Sequence, residues 1–202
     1  MNIHTIKVGF LEVNCYVVTV KSNDCFIIDP GNDAKNILSY LKDSGLTPSK
    51  ILLTHGHFDH VEAVTAIKNK FPDVLVYVHA DDVEFLVNNE RWENYLGRPM
   101  VSASYDKLIK DGDVINHEGE DLLVIETPGH SQGSVCFLAE NDMFTGDTLF
   151  ASGGIGRTDL WNSSPAAMRT SLKRLFSIEK SVAIYPGHGP ASTLAKERTR
   201  WG

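Results

Sequence analysis

The sequence predicts an α/β fold in which two β-sheets pack together and helices cover the outside. Three observations carry this. Strand-like stretches occur in both halves of the chain, with helical patterns between them. Three later strands each end in a glycine-marked turn holding one residue able to bind a metal: His130, Asp147 and His188. Residues placed at strand ends in this way can converge on one edge of a sheet. No low-complexity stretch, linker or short repeat interrupts the chain, and 202 residues suit a single domain, 1–202, with a well-filled core.

Taken in order, residues 2–10 and 15–20 read as paired strands with Val13 and Asn14 near the turn. Cys25 to Asp29 is a third strand, stopped by Pro30-Gly31. Asp29 at its end either supports a metal ligand from behind or accepts turn hydrogen bonds, the second reading being preferred. Asn32 or Asp33 is expected to cap a helix carrying Ile37, Leu38 and Leu41, which ends near Gly45. Ile51-Leu52-Leu53 is an apolar run of strand type. Val61, Val64, Ile67 and Phe71 follow at helical spacing and predict a helix over 61–71. Residues 74–78 read as a buried strand and 80–87 as a helix. Residues 88–105 carry Trp92, Tyr95, Arg98 and Pro99 without a clear period and are expected to be irregular, over the core or beside the site. Beyond the turn at Asp111-Gly112-Asp113, strands are expected near 113–117 and 121–126, then a hairpin of 135–138 with 143–145. A helix over 164–176, a strand over 182–185 and a final helix from about Ser192 complete the pattern.

Composition narrows the function. The net charge is −7, with 42% hydrophobic and 22% charged residues. An acidic globular chain is a poor partner for nucleic acid or an anionic membrane surface. No segment has the length of a membrane-spanning helix, and the start lacks a basic stretch followed by a signal-length apolar run. Cys15, Cys25 and Cys136 are odd in number and widely spaced, so they read as small core residues. These features fit a cytoplasmic enzyme acting on a small molecule; oligomeric state is not indicated.

The chemistry centres on Thr54-His55-Gly56-His57-Phe58-Asp59-His60, which puts four metal-capable side chains within six residues. His55 and His57 are two apart, which separates them on a helix but places them on one side of an extended segment. The stretch is therefore a loop between strand and helix, with Gly56 allowing a tight bend. Asp59 alone would serve as an N-cap for the helix; four donors together point to metal. Nitrogen and carboxylate donors suit zinc first, with iron or manganese as alternatives. His4, His79 and His117 lie outside the motifs and read as surface or packing residues. Phe58 either walls a pocket or packs on the sheet. Arg157, in Ser152-Gly153-Gly154-Ile155-Gly156-Arg157, either contacts an anionic substrate or pairs with Asp159 or a carbonyl.

Four motifs, Thr54 to His60, Thr127-Pro128-Gly129-His130-Ser131, Gly146-Asp147-Thr148-Leu149-Phe150 and Tyr185-Pro186-Gly187-His188-Gly189-Pro190, resemble those of the metallo-β-lactamase-fold hydrolases. Within that superfamily, Gly153 to Asp159 makes the chain most similar to short glyoxalase II-like (hydroxyacylglutathione hydrolase-like) proteins. The resemblance implies an αββα sandwich of two mixed sheets with the metals at one edge. It places His55, His57 and His130 on one ion, Asp59, His60 and His188 on a second, and Asp147 between them. Two such ions share a hydroxide, which Asp59 would orient. The implied activity is thioester hydrolysis, as of S-D-lactoylglutathione. The alternatives are an iron-dependent persulfide dioxygenase, with one iron on His55, His130 and Asp147, and a lactonase or phosphodiesterase. An oxygen donor at the bridge, where some β-lactamases of the fold carry cysteine, speaks against antibiotic hydrolysis. Fourteen residues after His188 leave no room for a C-terminal glutathione-binding helical domain, so modest discrimination among thioesters is expected.

Overall fold

Period-two alternation along the strands assigns the two faces of each sheet to different layers. The structure, a computed structural model, describes residues 1–201. The first sheet runs in chain order: β1 (Asn2–Val8), β2 (Val13–Thr19), β3 (Asp24–Ile28), β4 (Thr47–Leu52), β5 (Leu75–His79) and β6 (Lys107–Ile109). Strands β1 to β3 are antiparallel and β3 to β6 parallel. The second sheet comprises β7 (Val114–His117), β8 (Glu120–Glu126), β9 (Val135–Leu138), β10 (Asp142–Gly146), β11 (Ala183–Pro186) and β12 (Ser192–Thr193). Here β10 and β11 pair parallel and the other neighbours antiparallel. The helices are α1 (Ala34–Asp43), α2 (Phe58–Val61), α3 (Val64–Lys70), α4 (Val83–Val87), α5 (Glu90–Leu96), α6 (Pro165–Phe176) and α7 (Leu194–Trp201).

Strand β2 shows the layering. Cys15 and Val17 face Ile37 and Leu41 of α1 and Val64 and Ile67 of α3. Tyr16 and Val18 face the other way, into a core with Phe26, Phe137 and Phe144 between the sheets. A third core sets Ile125, Cys136 and Met143 of the second sheet against Met168, Leu172 and Leu175 of α6. The order is helix, sheet, sheet, helix, the αββα sandwich of two mixed sheets that the motifs implied. All three cysteines are buried and unbonded. Among the described residues, no helix is long and apolar enough to cross a membrane.

The differences from the sequence reading are local. The helix expected over 61–71 starts three residues earlier and divides into α2 and α3. At the break, the Ala63 amide donates to Pro30 O and Gly31 O at 3.0 and 2.9 Å, fastening the helix junction to the turn after β3. Asp33 stands at the cap position of α1 without a side-chain capping bond. Its carboxylate instead accepts from the Gly9 amide at 2.8 Å. Segment 88–105 is not irregular throughout, since α5 lies within it. A seven-residue helix is too short to display a period, but Trp92 and Leu96 are one turn apart and join Phe58 and Phe85 in a cluster of their own. The short strands β6 and β12 were not foreseen, because two or three residues cannot show alternation.

Phe137 has no exposure and sits between the two sheets. Phe137→Ala should lower unfolding stability by about 3–5 kcal/mol, read by denaturant titration; a loss below about 1 kcal/mol would show that the inter-sheet core is not close-packed there.

Candidate metal centre

Strand direction brings the donors together. Parallel β3 and β4 end on the same edge of the first sheet, delivering Asp29 and the loop with His55 and His57. In the second sheet β8 and β10 both run against β9, and β11 runs with β10, so His130, Asp147 and His188 leave one edge. Short α2 carries Asp59 and His60 in between. Two clusters result. Donor atoms of His55, His57 and His130 lie within 4.8 Å of one another, as do those of Asp59, His60 and His188.

The rings are held from behind. A carbonyl, or a hydroxyl already donating elsewhere, can only accept, so each partner fixes a tautomer. Asp29 Oδ2 accepts from Thr54 Oγ1 at 2.6 Å and from His60 Nδ1 at 2.9 Å. With its proton committed to Asp29, Thr54 Oγ1 accepts from His55 Nδ1 at 3.0 Å. His130 Nδ1 donates to Arg157 O at 2.8 Å and His188 Nδ1 to Leu11 O at 3.0 Å. These four rings therefore turn their Nε2 atoms to the interior. His57 is turned the other way: its Nδ1 meets His130 Nε2 at 2.8 Å. The Nε2 atoms of His55 and His60 and Asp147 Oδ1 are buried without any partner. Buried polar atoms are rarely orphaned, and such atoms within a gathering of five imidazoles and two carboxylates fit divalent cations.

A third triad, Asp29, His55 and His60, also lies within 4.8 Å. It is a support and not an ion site, because Asp29 already accepts from the Thr54 amide at 2.8 Å as well as from Thr54 Oγ1 and His60. This corrects the preference for simple turn hydrogen bonds: Asp29 orients the His60 ring directly and the His55 ring through Thr54. Asp147 connects the two clusters. Its Oδ1 is 3.4 Å from His60 Nε2, and its Oδ2 is 3.5 Å from His130 Nε2 and 3.6 Å from His188 Nε2.

Electrostatics divide the donors. Burial, then the neighbouring imidazoles, push His55 and His57 well below the usual histidine range. Burial also opposes charge on His60, but Asp59, Asp147 and Asp29 outweigh it and carry its pKa to about 10. Burial favours neutral Asp59, yet His60 and His188 hold it far below the carboxylate range. The metal-free protein thus keeps a proton on His60 that an ion must displace.

Other residues were not singled out from sequence. Asp82 is fully buried and accepts from the Gly56 amide (2.8 Å), the Gly133 amide (2.9 Å) and Ser131 Oγ (2.6 Å), joining the histidine loop to the turn after His130. Gly56 itself does not adopt a left-handed turn; a Cβ there would lie 2.7 Å from Asp82 O, so closeness and not bending explains the glycine. At Gly187 a Cβ would collide with Asp147 Oδ1 and approach His60 Cε1 to 2.7 Å. His4 is exposed and stacks on Tyr40, while buried His79 pairs with Glu126 and buried His117 meets the edge of Phe26.

The centre opens into a cavity of about 410 Å³ whose lining includes His57, Asp59, His130, Asp147 and His188. Phe58 lines this cavity and packs against Trp92 of α5, not on the sheet. Arg157 also lines it, while its guanidinium makes two bonds to Asp159, at 2.9 and 3.0 Å.

Comparison with known proteins gives a consistent picture. The sequence model described as "Metallo-beta-lactamase superfamily" matches residues 8–188. A Bacillus subtilis protein named "Probable metallo-hydrolase YqgX" is 33% identical over 198 residues, covering 96% of this chain and 92% of the relative. The "Hydroxyacylglutathione hydrolase GloC" of Haemophilus influenzae is 30% identical, covering 98% and 95%. Among solved structures, BLEG-1 B3 metallo-beta-lactamase superposes with a TM-score of 0.92 at 33% identity over 98% of this chain and 97% of its own. TTHA1623 in a di-iron-bound form gives 0.85 at 34% identity, covering 96% of each.

Removing the support should loosen the ions. Asp29→Ala is expected to cut metal affinity 10- to 100-fold, measured by competition with a chelator; unchanged affinity would show that the His60 ring needs no anchor. Gly187→Ala should lower metal content because Asp147 is displaced, which elemental analysis of the purified variant would reveal.

Proposed function

The chain belongs to the metallo-beta-lactamase superfamily, and from that premise we propose that this metal-dependent hydrolase cleaves thioesters at a two-ion centre. The observation carrying the proposal is the pair of adjacent donor clusters brought together from both sheets, with buried unpartnered atoms on His55, His60 and Asp147. His55, His57 and His130 would hold one ion, Asp59, His60 and His188 the other, and Asp147 both. Zinc is the first candidate, with iron or manganese as alternatives; the di-iron form of TTHA1623 keeps iron in view. When bound, the ions supply an acidified water and polarise the substrate carbonyl.

The protein's own groups do the rest. Asp59 stays ionised and partly open to the cavity, so it accepts a hydrogen bond from the attacking water and aims its lone pair at the carbonyl carbon. Phe58 and Trp92 exclude bulk water from one flank. A C–O bond forms from water and the C–S bond breaks, giving a carboxylate, a thiol and one released proton. A thiolate departs without a proton donor. Among the described residues, the cavity wall beyond the five donors that line it is apolar apart from Tyr95 and Arg157, which suits such a leaving group. The likeness to the Haemophilus influenzae hydroxyacylglutathione hydrolase supports a thioester. The likeness to BLEG-1 makes a β-lactam the second reading, although an amide nitrogen leaves less readily without protonation.

The test assays the metal-loaded protein on S-D-lactoylglutathione, a simple acyl thioester and a chromogenic cephalosporin, and follows oxygen uptake on glutathione persulfide. Thioester turnover is expected, with His55→Ala and Asp147→Ala each losing at least about 100-fold in kcat, on the scale of removing a transition-state contact. Cephalosporin hydrolysis alone would favour the second reading, and oxygen consumption without hydrolysis would indicate a dioxygenase. A protein that holds one ion and keeps its rate in His60→Ala and His188→Ala would exclude the two-ion centre.

A further inference from the structure

We propose that the thioesters this site takes carry an apolar acyl group of aromatic size, and that the thiol half is not selected through carboxylates such as those of glutathione. The inference rests on the thioester reading and adds the substrate class. The cavity, about 410 Å³, is at the small end of ligand-binding pockets. Its floor is the donor cluster; its walls and lip are Phe58, Trp92, Tyr95, Phe150, Leu160 and Phe10.

The wall is built, not incidental. Phe58 and Trp92 lie 5.2 Å apart between ring centres, and Trp92 and Tyr95 6.1 Å apart at 80°. Trp161 braces both from behind, 5.0 Å from Trp92 and 5.7 Å from Tyr95. Interlocked edge-on rings make a firm apolar surface. Phe10 is 71% exposed in the turn between β1 and β2 and lines the cavity while approaching Phe58 at 6.3 Å. An apolar group entering the cavity would bury surface that Phe10 and Tyr95, themselves 71% and 55% exposed, leave to water.

Charge points the same way. Among the described residues, Arg157 is the one lysine or arginine lining the cavity. Both its bonds go to Asp159, and both side chains are exposed. A substrate carboxylate would have to displace Asp159, exchanging one solvated pair for another at little gain. Arg98, at the end of the flanking segment, is engaged by Glu62 at 2.6 and 2.9 Å. Outside the centre itself, Arg157 and Arg98 are thus both already paired, so the two carboxylates of glutathione find no free side-chain cation there.

The experiment compares S-acetyl and S-phenylacetyl esters of N-acetylcysteamine and of glutathione on the metal-loaded protein. It also titrates acetate and phenylacetate against tryptophan fluorescence. Phenylacetyl should exceed acetyl in kcat/KM by about tenfold or more on either thiol, the scale of discrimination in an apolar pocket. Changing the thiol should matter less than about threefold. Tyr95→Ala and Phe10→Ala should raise KM for the phenylacetyl esters and shrink that preference severalfold, with Tyr95→Phe restoring it. Equal rates for the two acyl groups would overturn the proposal, and so would a tenfold preference for the glutathione ester that disappears in Arg157→Ala. If no thioester is cleaved, the thioester reading fails and the binding arm judges the apolar site by itself. Phenylacetate binding about tenfold tighter than acetate, and weakened by Tyr95→Ala, upholds the apolar site; equal affinities overturn it.

Discussion

Asp29 sits at the end of β3 with 1% of its surface exposed, and its carboxylate accepts from the Thr54 amide, the Thr54 hydroxyl and His60 Nδ1. Those bonds join the ends of two parallel strands and set the chemistry beyond them. Because the Thr54 proton is spent on Asp29, its oxygen accepts from His55, and because Asp29 accepts from His60 Nδ1, both rings turn Nε2 inward. One buried carboxylate thereby orients an imidazole in each donor cluster. The same economy recurs at the other edge, where backbone carbonyls of Arg157 and Leu11 hold His130 and His188.

This arrangement is expensive for the protein alone. Five imidazoles, Asp59 and Asp147 are gathered where burial penalises every charged form, and unpaired lone pairs face one another. His60 escapes by keeping a proton against three carboxylates, while His55 and His57 stay neutral. The apolar layers on either side hold this strained geometry: the cores flanking the first sheet contain the strands that end at the centre. Close packing holds the strands while the polar network orients the rings, and cations would convert the mutual repulsion of the donors into attraction.

What sequence could reveal follows from how local the signal is. Thr54 to His60 and the three later turns are contiguous motifs, so the gathered donors were legible residue by residue, as were the strands long enough to alternate. Asp29 and Asp82 were not, because an aspartate at a turn looks the same whether it meets water or three buried amides and hydroxyls. Asp82 reaches Gly133 and Ser131 about fifty positions away, and only the fold makes that pairing. Gly56 was visible as a glycine but for the wrong reason, since crowding against Asp82 leaves no trace in the local sequence. Helix α5 was hidden by its length. Its Trp92 looked like any aromatic in a patternless stretch until tertiary contact gave it Phe58, Phe85 and Trp161 as neighbours.

The reacting groups and the walls come from different parts of the chain. The donors sit at strand ends and on α2, fixed by sheet register. The aromatic wall comes from α5 and the segment around Leu160 and Trp161, neither of which belongs to a sheet. Yet the wall is not loose. Glu62, the residue closing α2 just after His60, grips Arg98 through two guanidinium bonds, and Arg98 follows directly on α5. The Glu62 side chain is largely covered, which makes this pair stronger than an exposed one. A bidentate fork also holds direction as well as distance. The helix bearing Asp59 and His60 is therefore tied to the helix bearing Trp92 and Tyr95, so the orientation of the apolar wall is referred to the donors themselves. The exposed Tyr95 of α5 can vary in size without touching a donor ring, provided the Glu62–Arg98 tie is kept, whereas Trp92 packs edge-on against His57 at 5.0 Å and belongs to wall and centre alike. Substrate preference can thus change on a fixed centre, with the tie as the constraint the two parts share.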